Sequence, residues 1–206
     1  MRTLFKGGSV VSGKGVRRAD LLVEGEKVVS LGRGLRAEAD RIIDVAGCVL
    51  FPGFIDAHTH FDLEVAGTVT ADDFASGSRA ALRGGTTTVI DFACPDKGET
   101  LASGLGRWRE KAVGKTFCDY GFHMTIDDWN EGIRTELPAM FAQGVSSFKM
   151  YITYPAMLLG DRDLYWALKE LKALGGVCGV HCENAGVIDG MIAEKKALGE
   201  LSPASH

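Results

Sequence analysis

Two histidines stand two residues apart in Gly53-Phe54-Ile55-Asp56-Ala57-His58-Thr59-His60, directly after a short apolar run. If that run is a β-strand, alternation sends His58 and His60 to one face, about two residues of rise apart. Two neutral imidazoles converging at a strand end can grip a borderline metal such as Zn²⁺. The plainer alternative, a pair of surface or capping histidines, is left open by the spacing alone. Further along, Lys149 sits inside the apolar run 146–152 and His181 stands near the end of the run 177–182. A lone lysine in a strand commonly snorkels or pairs with an acid, and a lone histidine is commonly a satisfied core residue. A cationic lysine between metal ions would repel them. Its amine, with an ordinary pKa near about 10.4, can when deprotonated add CO₂ and give a carbamate, an anion whose two oxygens could bridge two cations. His123 reads as an interior histidine with a hydrogen-bonding role, and His206 as one without a metal role.

The elements that must carry these residues follow from periodicity. Residues 1–50 hold short apolar-polar runs punctuated by glycine, the pattern of hairpins in a small sandwich-like module. These strands are too few and short to hold much core unaided. From residue 51 the pattern becomes strand and helix in alternation. Strands are expected at 54–57, 86–93, 120–126, 146–152 and 177–182, and helices at about 72–82, 101–113, 129–142, 161–174 and 185–198. Pro138 is expected to interrupt or restart the third helix. Five β/α units with strands apolar almost throughout indicate a parallel sheet buried on both faces. An open doubly wound sheet and a (β/α)₈ barrel compete, and no GxGxxG follows a strand to support dinucleotide binding. In a barrel the C-terminal strand ends converge on one mouth, which would bring His58, His60, Lys149 and His181 together as a candidate metal cluster. A whole barrel needs roughly 250 residues, so the chain is expected to be a fragment: residues 1–50 part of a β-sandwich, 51–206 a partial barrel.

Composition narrows the function classes. The 206 residues are 46% hydrophobic with a net charge of −4, acids and bases interspersed. No block of lysine and arginine invites nucleic acid or an anionic membrane. The N-terminus lacks the apolar core of a signal peptide and no run is long enough to span a bilayer, so a cytoplasmic location is expected. Cys48, Cys94, Cys118, Cys178 and Cys182 are odd in number and lack CxxC spacing, which favours buried reduced thiols over disulfides.

Four stretches carry a resemblance. Pro52-Gly53-Phe54-Ile55-Asp56-Ala57-His58-Thr59-His60 resembles the first metal motif of the amidohydrolase superfamily. Gly84-Gly85-Thr86-Thr87-Thr88-Val89-Ile90-Asp91-Phe92, Ser147-Phe148-Lys149-Met150-Tyr151 and Val180-His181-Cys182-Glu183-Asn184 narrow it to the dihydropyrimidinase/D-hydantoinase family of cyclic amidases, over essentially the whole chain. The resemblance implies a (β/α)₈ TIM-like barrel with a β-sandwich built from both chain termini. It also implies two Zn²⁺ or other divalent metals bridged by N6-carboxylated Lys149, with His58 and His60 on one metal and His181 on the other. By motif, Tyr154 hydrogen-bonds the oxyanion. Two cations lower a bridging water's pKa from 15.7 towards about 7, and the hydroxide opens a small-molecule cyclic amide to an N-carbamoyl amino acid. A fourth histidine and a proton-shuttling aspartate would lie beyond residue 206, so the 206-residue chain alone is expected to be inactive. A homotetramer is also implied.

Departures bear on the substrate. Phe61-Asp62-Leu63-Glu64-Val65 stands where the family often has a proline. Leu63, Val65 and Tyr154-Pro155-Ala156-Met157 are pocket candidates, and acidic Glu64 leaves the preferred ring substituent open. Cys182 stands where alanine is common and is expected to point away from the metals and pack. Allantoinase or dihydroorotase is the sister reading with the same metal site. Non-enzymatic relatives that have lost ligands are a further class, and an inert truncation a third.

Overall fold

The computed structural model describes residues 1–36, 38–65 and 67–205, which places His206 outside the described residues. The chain divides into two compact units, Met1–Phe54 and Ile55–His206. In the first, β1 (Arg2–Lys6), β2 (Ser9–Ser12), β3 (Gly15–Arg18), β4 (Asp20–Glu24), β5 (Lys27–Gly32), β6 (Arg41–Asp44) and β7 (Val49–Leu50) make two sheets, ordered β5-β4-β1-β6 and β3-β2-β7. Leu4, Val10, Leu22 and Val45 are buried in this unit. Strand β3 escapes the sequence reading because all four of its residues are exposed and nothing alternates. It pairs antiparallel with β2 around Gly13-Lys14, and Gly15 takes the left-handed φ of +103° that closes the hairpin. Buried Asp20 accepts from the backbone N–H groups of Gly7 and Leu35 at 2.8 and 2.9 Å, which ties two loops to β4.

The second unit alternates as its periodicity requires: β8 (Phe54–Thr59), a small hairpin of β9 (Glu64–Val65) and β10 (Thr68–Val69), α1 (Phe74–Arg83), β11 (Thr86–Ala93), α2 (Leu101–Ala112), β12 (Asp119–Thr125), α3 (Glu131–Ala142), β13 (Ser147–Tyr151), α4 (Asp161–Ala173), β14 (Val177–His181) and α5 (Ala185–Ala197). The sheet runs β14-β13-β12-β11-β8, with β11, β12, β13 and β14 parallel to their neighbours in that run. Helix starts obey capping chemistry: the side chains of Asp73, Thr100, Asn130 and Asn184 each accept from a backbone N–H three residues on. The core is built from one face of each of the first four helices against the sheet, with Leu105, Trp108, Met124, Leu137, Phe148 and Leu171 at its centre.

Three expectations are corrected. Helix α3 runs unbroken through Pro138. Proline inside a helix costs about 3 kcal/mol, but Leu137 and Met140 beside it are fully buried and contribute roughly 1.5–3 kcal/mol each. The strands are not all buried on both faces: β8 exposes five of its six residues and β14 fully buries none of its five, because each is an edge with one sheet neighbour among the described residues. The cysteines are free, as expected, but none is fully buried, and Cys48 and Cys182 are exposed. Cys182 therefore does not pack; its Sγ lies 3.2 Å from the Val180 carbonyl. Among the described residues, no helix is long and apolar enough to cross a membrane.

One glycine couples the core to the residues that follow β8. A Cβ on Gly77 of α1 would stand 2.2 Å from the Phe61 ring, so only hydrogen lets Phe61 lie against the helix. Gly77→Ala would gain up to about 1 kcal/mol of helix propensity, yet overpacking of this kind costs about 1–3 kcal/mol. Net destabilisation of about 1 kcal/mol is expected by urea denaturation, and a Gly77→Ala variant more stable than wild type would contradict the packing.

Candidate metal centre

Strand alternation does what the spacing demands. Thr59 turns into the protein and is buried, while His58 and His60 lie on the opposite face, exposed and half-buried respectively. Their Nε2 atoms are 3.2 Å apart, with the rings edge to face at 84°. Two nitrogens held tetrahedrally on one zinc at about 2.0–2.1 Å lie roughly 3.3–3.4 Å apart, so the pair already has the separation of ligands sharing an ion. Burial first, then the proximity of His58 and Lys149, pushes the His60 pKa below its ordinary value. The imidazole is thereby kept neutral, the form that ligates. His60 Nδ1, the other ring nitrogen, is buried with no hydrogen-bond partner among the described residues, a polar cost that an ion at Nε2 would not relieve.

Lys149 reaches the same region from β13. It lies opposite Thr125 of β12 and Gly179 of β14 in the sheet register. A Cβ on Gly179 would stand 3.8 Å from Lys149 Cδ, an ordinary contact, so the lysine does not depend on glycine there. Its Nζ sits 5.3 Å from the Tyr151 ring centroid. Among the described residues no carboxylate pairs with it; the ion pairs elsewhere in the chain leave it out. The ordinary explanation of a strand lysine by an acidic partner therefore fails here.

His181, at the end of β14, forms a second group. Its Nε2 lies 2.8 Å from Glu183 Oε2 and 3.4 Å from the Tyr154 hydroxyl. Tyr154 takes a left-handed φ of +61°, which costs a non-glycine residue on the order of 1–2 kcal/mol. Its carbonyl accepts from the N–H groups of Met157 and Leu158, a turn that holds the strained residue in place. Among the described residues no three His, Cys, Asp or Glu side chains converge on one point: the structure assembles a histidine pair beside a lysine, and separately His181 with Glu183 and Tyr154. Leu63 packs against the hydrophobic core, while Val65 is half-exposed on the β9–β10 hairpin. His123 has the hydrogen-bonding role expected, with Nδ1 2.6 Å from Ser147 Oγ and Nε2 2.9 Å from the Ala57 carbonyl, which braces β8 against β12 and β13.

Residues 49–127 match the Amidohydrolase family model, a span that takes in His58, His60 and His123. Over its whole length the chain is 42% identical to a D-hydantoinase of Geobacillus stearothermophilus and 38% identical to the dihydropyrimidinase of Rattus norvegicus. The crystal structure of dihydropyrimidinase from Brevibacillus agri superposes with a TM-score of 0.94 at 40% identity, over 98% of this chain and 44% of that one. Over its whole length this chain is similar to part of the dihydropyrimidinase and D-hydantoinase sequences. It spans 44% and 41% of the two curated relatives, less than half of either. Its α/β fold with a partial-barrel parallel sheet is the fold of hydantoinase structures.

Three acids carry no role that local spacing assigned. Glu183 follows His181 by two positions and meets its ring. Asp91, 1% exposed in β11, accepts four hydrogen bonds, two of them from the residues either side of His60. The available signal was a lone acid inside an apolar strand. Asp127, just past β12, is another buried acid, and burial raises its pKa to about 6. Its folded pKa lies above the unfolded value of about 3.9. The native state is therefore undiminished below about pH 4, loses stability as pH rises towards 6, and carries the full cost above that. Asp127→Asn should stabilise the protein by about 2 kcal/mol at about pH 7.5 and by nothing measurable at about pH 4, as read by denaturation at the two pH values.

Proposed function

We propose that the protein is a metal-dependent cyclic amidase that opens 5,6-dihydropyrimidine or 5-substituted hydantoin rings to N-carbamoyl amino acids. The observation that carries the reading is the 3.2 Å convergence of the His58 and His60 Nε2 atoms beside a lysine without an acidic partner among the described residues. The family's named relatives, a D-hydantoinase and a dihydropyrimidinase, set the substrate class. His58 and His60 would hold one divalent cation, His181 the other, and Lys149 as its carbamate would bridge them. When bound, such cations acidify a water and polarise the scissile carbonyl. Lys149 fits the bridging role because no carboxylate among the described residues pairs with its amine, which leaves the nitrogen available to add CO₂. Tyr154 would donate its O–H to the oxygen of the carbonyl under attack. The water's oxygen bonds to the ring carbon, the carbon–nitrogen bond breaks, and the leaving nitrogen takes up a proton.

The same reading extends to architecture. The sheet's edge residues Ile55 and Val177 are 66% and 69% exposed, apolar surface that further strands of a (β/α)₈ barrel would cover. Residues 1–50 would contribute to a β-sandwich, and the protein would work as a homo-oligomer.

The test is hydrolysis of dihydrouracil and hydantoin by the protein expressed from its natural reading frame. Both rings should open, with activity lost on chelation and regained with Zn²⁺, Mn²⁺ or Co²⁺. Faster opening of dihydroorotate or allantoin, or activity that survives complete metal removal, would defeat the proposal.

A further inference from the structure

Asp91 is a costly residue for its place. A carboxylate in β11 that is 1% exposed needs hydrogen bonds on both oxygens to be tolerated, and burial still pushes its pKa upward against them. Its two oxygens serve different parts of the molecule. Oδ2 accepts from Thr59 Oγ1 at 2.9 Å and from the Phe61 backbone N–H at 2.8 Å. Oδ1 accepts from the Phe92 backbone N–H at 2.8 Å and from Trp108 Nε1, in α2, at 3.2 Å. Thr59 and Phe61 are the two neighbours of His60. The chain beyond them is tied to the same helix: Lys111 of α2 donates to the Asp62 carbonyl and lies 3.8 Å from its carboxylate, where Asp62 takes a left-handed φ of +51°.

From this we infer that Asp91 is the positioning residue of the His58–His60 pair: Oδ2 clamps the chain on both sides of His60 and so fixes the direction in which the His60 imidazole meets that of His58, while Oδ1 ties the strand to α2. Asp91 touches neither ring. The inference rests on the metal reading above. The division of labour between Oδ2 and Oδ1 separates a positioning role from a merely structural one. Bonds on the Oδ2 side orient His60, whereas the Trp108 bond on the Oδ1 side adds stability at a distance from it.

The experiment is a Co²⁺ titration of the metal-free protein, expressed from its natural reading frame and read by the visible d–d spectrum, with thermal stability measured alongside. His58→Ala identifies the site by removing one of its ligands. Thr59→Val, which deletes one Oδ2 bond, should weaken Co²⁺ at that site on the order of 10- to 100-fold, the usual effect of losing a partner outside the ligand shell. Asp91→Asn, which turns an N–H donor toward existing donors, should weaken it at least as much. Thr59→Ser keeps the hydroxyl and should bind nearly as wild type, and Thr59→Ala serves if valine is not accommodated. Trp108→Phe deletes the α2 bond and should lower the melting temperature without moving the cobalt affinity or spectrum. Wild-type affinity and spectrum in both Thr59→Val and Asp91→Asn would overturn the inference, as would a Trp108→Phe variant that loses cobalt in step with its stability. A wild-type protein that takes up no cobalt would instead sink the metal reading, and this inference with it.

Discussion

Lys149→Ala is expected to abolish ring opening while leaving the fold nearly intact. The substitution removes the one residue that the proposed centre uses to join its two halves, the His58–His60 pair and His181. If about 4 kcal/mol of Lewis-acid assistance goes with the bridged ion, the rate falls by about 10³-fold. Stability has little reason to follow. Lys149 is half-buried and has no ion pair among the described residues, so its loss should cost within about 0.5–1 kcal/mol. Elemental analysis should show metal falling below the wild-type content per chain. Lys149→Arg should behave as Ala, because a guanidinium stays protonated and forms no carbamate. Removal of bicarbonate should slow reconstitution of the metal-free wild type. Unchanged metal content together with retained activity in Lys149→Ala would end the carbamate assignment. Loss of activity paired with a large drop in melting temperature would make the lysine a structural residue instead.

The sequence made the site legible where a functional demand has a short period. His58 and His60 share a face because alternation requires it, and the observed Nε2 separation of 3.2 Å is that geometry realised at a strand end. Lys149 and His181 announced themselves as polar residues in apolar runs. What spacing could not supply were bonds between distant positions. Asp91 binds Thr59 across 32 positions and Trp108 across 17, and only the fold brings these together. Pro138 misled for the converse reason: a local rule against proline was outweighed by the burial of Leu137 and Met140. The exposed edges β8 and β14 misled because apolar composition reports the surroundings a strand is built for, while exposure reports those it has.

Phe74→Ala should produce the largest loss of stability, and its effect on the metal centre separates packing from ligation. Phe74 opens α1 and is 1% exposed. Its ring meets Phe61 edge-on at 5.5 Å and Phe122 at 6.3 Å. Deleting a buried phenyl ring costs about 3–5 kcal/mol through lost transfer energy and the cavity left behind. At roughly 2–4 °C per kcal/mol for a chain of this size, the melting temperature should fall by about 10 °C. Phe117→Ala, at a ring 54% exposed against Arg79, should cost less than about 1 kcal/mol and serves as the control. Equal losses in the two variants would refute the placement of Phe74 in the core. The cavity would also open against Phe61, whose backbone N–H is one of the two donors held by Asp91 Oδ2. Phe74→Ala should therefore weaken metal binding at His58 and His60 as well as the fold, whereas Lys149→Ala should remove metal and spare the fold. Two substitutions that lower activity alike are then told apart by stability alone, because only one of them acts through the packing that aims His60.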